Sequence, residues 1–288
     1  MKITNNSNLP EVFVQFAESD YRYKDKQYSV TSIIGGLKET ILKRRHQNEI
    51  EMDVADMNNM ILGQAVHLIL EKADKKDYEI KEKYVKENII GDYKLSGYLD
   101  LYNFLTKTVY DYKTSSVWKV KFEDYDDYKK QLLMYAWLLR QKGYEVEAGE
   151  IVLLIKDWSK TKSQRDADYP NQPIIKINFQ FDAGDFEYIE NWIYERFKFI
   201  KGYETLTDDQ IPYCRKEERW ADDDSWAVYK KGNKKAYRVL DTEEEAKKWM
   251  ENNKGNHIEY REGTDTKCLH YCNVTEFCDY YRNNYKEG

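Results

Sequence analysis

KLSGYLDLYNF (residues 94–104), LTKT (105–108) and VYDYKTSS (109–116) form the stretch whose reading decides the fold. Apolar and polar residues alternate through the outer segments and a short polar run separates them, which predicts two antiparallel strands joined by a tight turn. Alternation places Tyr98, Asp100 and Tyr102 on one face of the first strand, and Val109, Asp111 and Lys113 on one face of the second. Pairing then brings two carboxylates and an ammonium together. Converging carboxylates offer hard oxygen ligands for Mg²⁺ or Mn²⁺, and an amine two residues from one of them can orient or deprotonate a water. Those are the parts that phosphodiester hydrolysis needs.

In a chain that is 34% charged, one D-x-K is a weak signal; its neighbours strengthen it. Upstream, MNNMILGQAVHLILEKA (57–73) has helical periodicity with Leu62, Val66, Ile69 and Leu70 apolar. Gly63, His67 and Glu71 share a face there, and His67 is a candidate third metal ligand. Glu71 reads mainly as a solvated helix-end acid. Downstream, YKKQLLMYAWLLRQKG (128–143) predicts a helix ending near Gly143, with Gln131 and Tyr135 one turn apart and able to hydrogen-bond a phosphate or the lysine.

Further out, TSIIGGLKETILKRRH (31–46) predicts a helix capped by Thr31 or Ser32 and weakened at Gly35-Gly36. EIVLLIKDW (150–158) reads as a central strand and KINFQFD (176–182) as another. DFEYIENWIYERFKFIKGYE (185–204) is a helix with Phe186, Ile189, Ile193, Phe197 and Ile200 on one stripe. After Pro212 the texture changes. SWAVYKKGNKKAYRVL (225–240) predicts a hairpin around Gly232-Asn233, DTEEEAKKWMENN (241–253) a helix with a Thr242/Glu245 capping box, and HIEYREG (257–263) a returning strand. The expected organisation is a body over 1–213 and a small β-β-α-β unit over 214–288.

Composition bounds the rest. The 288 residues carry 46 Lys and Arg against 52 Asp and Glu, a formal charge of −6. This excludes a uniformly basic coat for nucleic acid while permitting a local basic groove. With 41% hydrophobic and 15% aromatic residues the chain can bury a core, so global disorder is excluded. No apolar run approaches a membrane span, so no membrane partner is expected. MKITNNSNLPEVFVQF lacks the apolar core of a secretory signal, so a cytoplasmic location is expected. Only 13 Gly and 4 Pro punctuate the chain, which favours long elements in a mixed α/β fold.

Taken in order, Gly63-x-x-x-His67, Gly97-x-x-Asp100, Asp111-x-Lys113 and Gln131-x-x-x-Tyr135 resemble the RecB-like branch of the PD-(D/E)XK nuclease superfamily. Residues 31–46 and CRKEERW (214–220) look like phage-encoded members, so the resemblance extends over most of the chain. It implies a restriction-endonuclease-like core: a mixed central sheet flanked by helices. It also implies a divalent-metal-dependent DNA nuclease, most simply an exonuclease in phage or prophage recombination or DNA processing. The implied metal ligands are His67, Asp100, Asp111 and the main-chain carbonyl of Tyr112. Lys113 would be the catalytic lysine, with Gln131 and Tyr135 in support. Leu99 stands where the superfamily name has proline, a departure common in the RecB-like branch.

All four cysteines, Cys214, Cys268, Cys272 and Cys278, lie between residues 214 and 278. Four thiolates suit a [4Fe–4S] cluster or a structural Zn²⁺, and His270 is an alternative zinc ligand. The resemblance favours iron–sulfur, although no cysteine precedes the nuclease motifs as it does in several relatives. Either metal would pin the ends of the small unit together. Lys43-Arg44-Arg45-His46 and the lysines at 230–231 and 234–235 are candidate phosphate contacts, and 26 Tyr and 7 Trp supply possible stacking surfaces for bases. The expected partner is DNA, as linear or single-stranded ends, with a recombination or helicase protein as a further possibility. Two other readings remain: a nuclease of the CRISPR-adaptation kind, and a nuclease-fold protein that binds DNA or a partner without cleaving.

Overall fold

The computed structural model describes residues 1–18, 23–74, 76–253 and 255–286. The chain forms two compact units, Met1–Leu206 and Thr207–Gly288, dividing ahead of the change in sequence texture at residue 213.

The first unit contains strands β1 (Lys2–Thr4), β2 (Gln27–Ser29), β3 (Glu51–Asp53), β4 (Glu79–Ile90), β5 (Tyr93–Asn103), β6 (Thr108–Ser115), β7 (Ala148–Ile155) and β8 (Ile174–Gln180). Its helices are α1 (Glu11–Glu18), α2 (Val30–Ile34), α3 (Leu37–Arg45), α4 (Asn58–Glu71), α5 (Val117–Lys121), α6 (Asp126–Arg140), α7 (Lys160–Ser163) and α8 (Ala183–Tyr203). The main sheet runs β2-β5-β6-β7-β8, with β4 on the other edge of β5, while β1 and β3 make a separate parallel pair. The expected turn joins β5 and β6 antiparallel. β6 and β7 are parallel, a connection that requires a crossover, and α5 and α6 supply it. This is the mixed α/β, restriction-endonuclease-like architecture.

Position in the layers explains the helices. Every residue from Gln131 to Leu139 on α6 is buried, because the helix lies between the sheet and the flanking α2 and α8. It ends at Arg140, with Gly143 beyond it at φ +83°. On α8 the stripe Ile189, Ile193, Phe197 and Ile200 is buried.

Two sequence expectations are corrected. The N-terminal helix is divided at Gly35-Gly36 into α2 and α3, and Ser29, rather than Thr31 or Ser32, caps α2 by accepting from the Ser32 amide. A broken helix leaves carbonyls without intrahelical partners. Buried Arg196 from α8 supplies them, donating through Nε to the Ile33 carbonyl at 2.9 Å and through Nη2 to Gly35. The second correction concerns α4: Leu62 and Ile69 of its expected core stripe are exposed, and no residue of the helix is buried.

The second unit holds β9 (Ser225–Tyr229), β10 (Arg238–Leu240) and β11 (His257–Arg261) in the antiparallel order β10-β9-β11. Helix α10 (Glu243–Asn252) packs on this sheet, and its N-cap Thr242 accepts from the Glu245 amide. Short helices α9 (Lys216–Arg219), α11 (Thr266–His270) and α12 (Asp279–Asn284) flank the cysteines. Among the described residues no helix is long and apolar enough to cross a membrane.

Candidate active site

β5 carries β4 along one edge and divides the other between two strands. β2 pairs with residues 94–96 and β6 with 101–103. Among the described residues no strand pairs with 97–100 on that edge, so the sheet forks there. Asp100 and Asp111 are the facing positions one step past the last pair, Leu101 and Tyr110. Both carboxylates are buried.

A buried carboxylate needs hydrogen bonds or positive charge to stay ionised. Asp100 has both. Its Oδ2 accepts from the Tyr112 main-chain N–H at 2.6 Å, and its Oδ1 lies 3.2 Å from His67 Nδ1 on α4. Asp111 Oδ1 accepts from Gln131 Nε2 at 3.1 Å, and Asp111 Oδ2 is 2.7 Å from Lys113 Nζ. That last contact is an ion pair without hydrogen-bond geometry, so the buried oxygen has no hydrogen-bond partner. Burial pushes the Asp111 carboxyl up to about 6, Lys113 pulls it back, and the neighbouring Asp100 charge adds to the rise. The hydrogen bond to Asp100 raises the His67 imidazole, against the opposing effect of its own burial.

Gln131 links the carboxylates to α6, since its Nε2 also reaches the Tyr135 hydroxyl at 3.2 Å. The structure thus brings His67, Asp100, Asp111, Lys113, Gln131 and Tyr135 into one network, with Tyr112 joined through its backbone. Glu71 stands exposed at the end of α4, apart from these contacts.

The motif glycines differ in what they do. A Cβ on Gly97 would lie 2.5 Å from Tyr135 Cε1, so only glycine lets β5 approach α6 this closely. At Gly63 a Cβ would meet nothing within 4 Å. Sequence reasoning missed the steric role of Gly97, although a glycine inside an alternating strand signals close backbone approach.

A model of the PD-(D/E)XK nuclease superfamily matches residues 78–279, which include β4 to β8 and the candidate carboxylates. The chain belongs to the PD-(D/E)XK nuclease superfamily. Superfamily members generally use Mg²⁺ or Mn²⁺. Among solved structures, the chain is similar to the crystal structure of SSO0001, at 18% identity, TM-score 0.47, covering 73% of this chain and 87% of that one. It is also similar to the alkaline exonuclease LHK-Exo from Laribacter hongkongensis (10% identity, TM-score 0.38, covering 62% and 90%). A phage-related exonuclease from Haemophilus somnus 129PT follows at 13% identity and TM-score 0.30, covering 67% and 78%. Comparison with curated proteins finds no match.

The donor set can be weighed against the metal that the superfamily implies. Two buried carboxylates, one with a buried oxygen lacking a hydrogen bond, match the preference of Mg²⁺ and Mn²⁺ for hard oxygen ligands. As arranged, these oxygens are turned to Lys113, Gln131, His67 and the Tyr112 amide. Among the described residues no three His, Cys, Asp or Glu side chains are assembled as a metal cage.

The cysteines lie in the second unit. No disulfide joins them and all four are half-buried. Burial pushes the Cys268 thiol up to about 12, and Cys272, Asp265, Cys214 and Cys278 all push it further. Among the described residues the four thiols are not assembled as a metal-binding group. Buried Asp265 anchors the surroundings: its Oδ1 accepts from Arg219 Nε at 3.0 Å, and its Oδ2 from the Tyr280 and Tyr285 hydroxyls at 2.6 and 2.9 Å. Arg219 also donates to the Cys214 carbonyl. His270 sits at the end of α11, beside the Tyr271 ring.

Three residues of the basic cluster at 43–46 are engaged within the fold. Lys43 pairs with Glu39 and His46 with Glu49. Arg45 Nη2 donates to the carbonyls of Tyr203, Glu204 and Leu206 at the end of α8.

Proposed function

We propose that the chain is a divalent-metal-dependent DNA nuclease that degrades strands from an end. The observation that carries this reading is the buried Asp100–Asp111–Lys113 constellation at the fork of the sheet, held by His67 and Gln131, in a member of a nuclease superfamily. Mg²⁺ or Mn²⁺ would be held by Asp100, Asp111, His67 and the Tyr112 carbonyl, and supplies a Lewis acid for the scissile phosphate.

The protein's own groups do the rest. Lys113, partly open to solvent, holds the attacking water by hydrogen bond and offsets charge developing on the phosphate. Asp111 keeps the Lys113 ammonium in place, Gln131 fixes the rotamer of Asp111, and Tyr135 fixes Gln131. The four cysteines would hold a structural metal centre once their thiolates converge, with a [4Fe–4S] cluster as the first reading and Zn²⁺ as the second. A role in phage or prophage DNA processing fits the sequence resemblance.

The test is degradation of end-labelled linear DNA and closed circular DNA in Mg²⁺, Mn²⁺ or EDTA. Metal-dependent loss of linear DNA with survival of circles is expected. Cutting of circles would replace the exonuclease reading with an endonuclease. DNA binding without cleavage would replace it with a binding protein.

A further inference from the structure

A cavity of about 710 Å³ in the first unit, lined by residues of β2, α2, α3, β4, β5 and α6, shares a wall with the candidate carboxylates. Tyr135 is that wall: its ring lines the cavity while its hydroxyl meets the Gln131 amide that also holds Asp111. On β5, Tyr98 lines the cavity two residues before Asp100. The volume lies in the roughly 300–1,000 Å³ range of pockets that enclose a small organic ligand.

The lining has a consistent chemistry. Among the described residues it includes Lys24 and Arg44 and no Asp or Glu, in a chain with more acids than bases. Arg44 is fixed over the Tyr28 ring at 4.1 Å and donates to the Gln27 and Lys24 carbonyls at 2.9 and 2.7 Å. Because these acceptors are neutral, the positive charge is not cancelled by them. Tyr84 and Tyr98 are partners across β4 and β5 with ring centroids 4.9 Å apart, and Lys24 lies 5.7 Å from the Tyr84 ring. Tyr98 is 62% exposed, which leaves an aromatic surface open beside cationic groups. The Tyr84 hydroxyl is buried and has no hydrogen-bond partner, and such a group is ordinarily satisfied by something.

An aromatic surface, an unused hydroxyl and two cations, with no acid among the described lining residues, suit a nucleotide whose base is free to stack and whose phosphate is anionic. A paired base in a duplex has its faces covered by its neighbours. We infer that this cavity is a subsite for an unpaired nucleotide, adjacent to the phosphodiester held at Asp100 and Asp111, and that it directs the protein to single-stranded ends. The placement next to a scissile bond rests on the nuclease reading above; the preference for an unpaired strand does not.

The test is fluorescence anisotropy in EDTA, so that nothing is cleaved, with a labelled single strand and a blunt duplex of equal length. Tyr98→Ala should weaken single-strand binding by about tenfold through loss of a stacking surface, and duplex binding by less than about threefold, with Tyr98→Trp restoring the single-strand affinity. Lys24→Gln should weaken single-strand binding and make its salt dependence shallower. Tyr98 and Lys24 are exposed, and thermal melts check that the variants remain folded. Wild-type affinity in Tyr98→Ala, equal loss for both probes, or no single-strand binding by wild type would overturn the subsite. A cleavage assay with Lys113→Ala separates the two claims. Normal single-strand binding in Tyr98→Ala, with cleavage lost in Lys113→Ala, removes only the subsite. Tyr98-dependent binding by a wild type that never cleaves removes only the nuclease reading.

Discussion

Replacing Gly97 with alanine tests whether the approach of β5 to α6 sets the geometry of the site. The added Cβ would stand 2.5 Å from Tyr135 Cε1, 3.2 Å from Tyr135 Cδ1 and 3.3 Å from Val30 Cγ2. Carbon atoms rest at about 3.5–4.0 Å, so the Tyr135 ring must retreat by about 1 Å. That ring is buried and its hydroxyl is tied to Gln131, leaving little room to move. Overpacking of this kind costs about 1–3 kcal/mol. At about 2–4 °C per kcal/mol for a unit of this size, Gly97→Ala should melt about 2–12 °C lower. Cleavage should fall as well, because Tyr135 and Asp111 share the Gln131 amide. The assay is calorimetry on Gly97→Ala, Tyr135→Ala and the double variant. Tyr135→Ala alone should lose about 3–5 kcal/mol, and the space it vacates accommodates the new methyl group. The double variant should therefore lose less than the sum of the singles, by about 1–3 kcal/mol. An unchanged melting temperature in Gly97→Ala, or strict additivity in the cycle, would refute the argument.

Three further outcomes follow from side-chain geometry. Burial holds the folded-state pKa of Asp111 at about 6, above the ordinary aspartate value of 3.8, so the folded state binds more protons between those pH values and the group's contribution to stability falls as pH rises through them. In EDTA, the stability of Asp111→Asn relative to wild type should therefore increase from about pH 4 to pH 6 and then level off; urea midpoints giving a constant difference would contradict this. Arg45→Ala should cost about 1.5–3 kcal/mol from its charge-assisted bonds to the end of α8, while the salt dependence of DNA binding stays as in wild type. A changed salt slope without loss of stability would return Arg45 to the DNA interface. Cys272→Ser should lower both the melting temperature and the iron or zinc content of anaerobically purified protein; unchanged values of both would remove the proposed metal centre.

Local patterns carried much of the fold. Alternation in 94–116 gave β5 and β6, and the turn between them, because strand periodicity and a polar linker are short-range signals. The stripe on α8 and the cap at Thr242 were legible for the same reason. What the sequence could not supply was the fork in β5, because it depends on β2 arriving from a distant part of the chain. The role of Arg45 was hidden likewise: a run of basic residues looks solvated until the end of another helix is placed against it. For the candidate site, residue types and order singled out the carboxylates, lysine, histidine and glutamine that the fold brings together. The contacts among them, and the reason for glycine at 97, appear only when α6 lies against β5.

The most direct test of the central claim compares wild type and Lys113→Ala on end-labelled linear DNA with Mg²⁺ or Mn²⁺. The account predicts metal-dependent degradation by wild type and none by the variant, with metal affinity retained because the Asp100 and Asp111 carboxylates remain, and DNA still bound. Degradation by Lys113→Ala at the wild-type rate would contradict it and place the active site elsewhere.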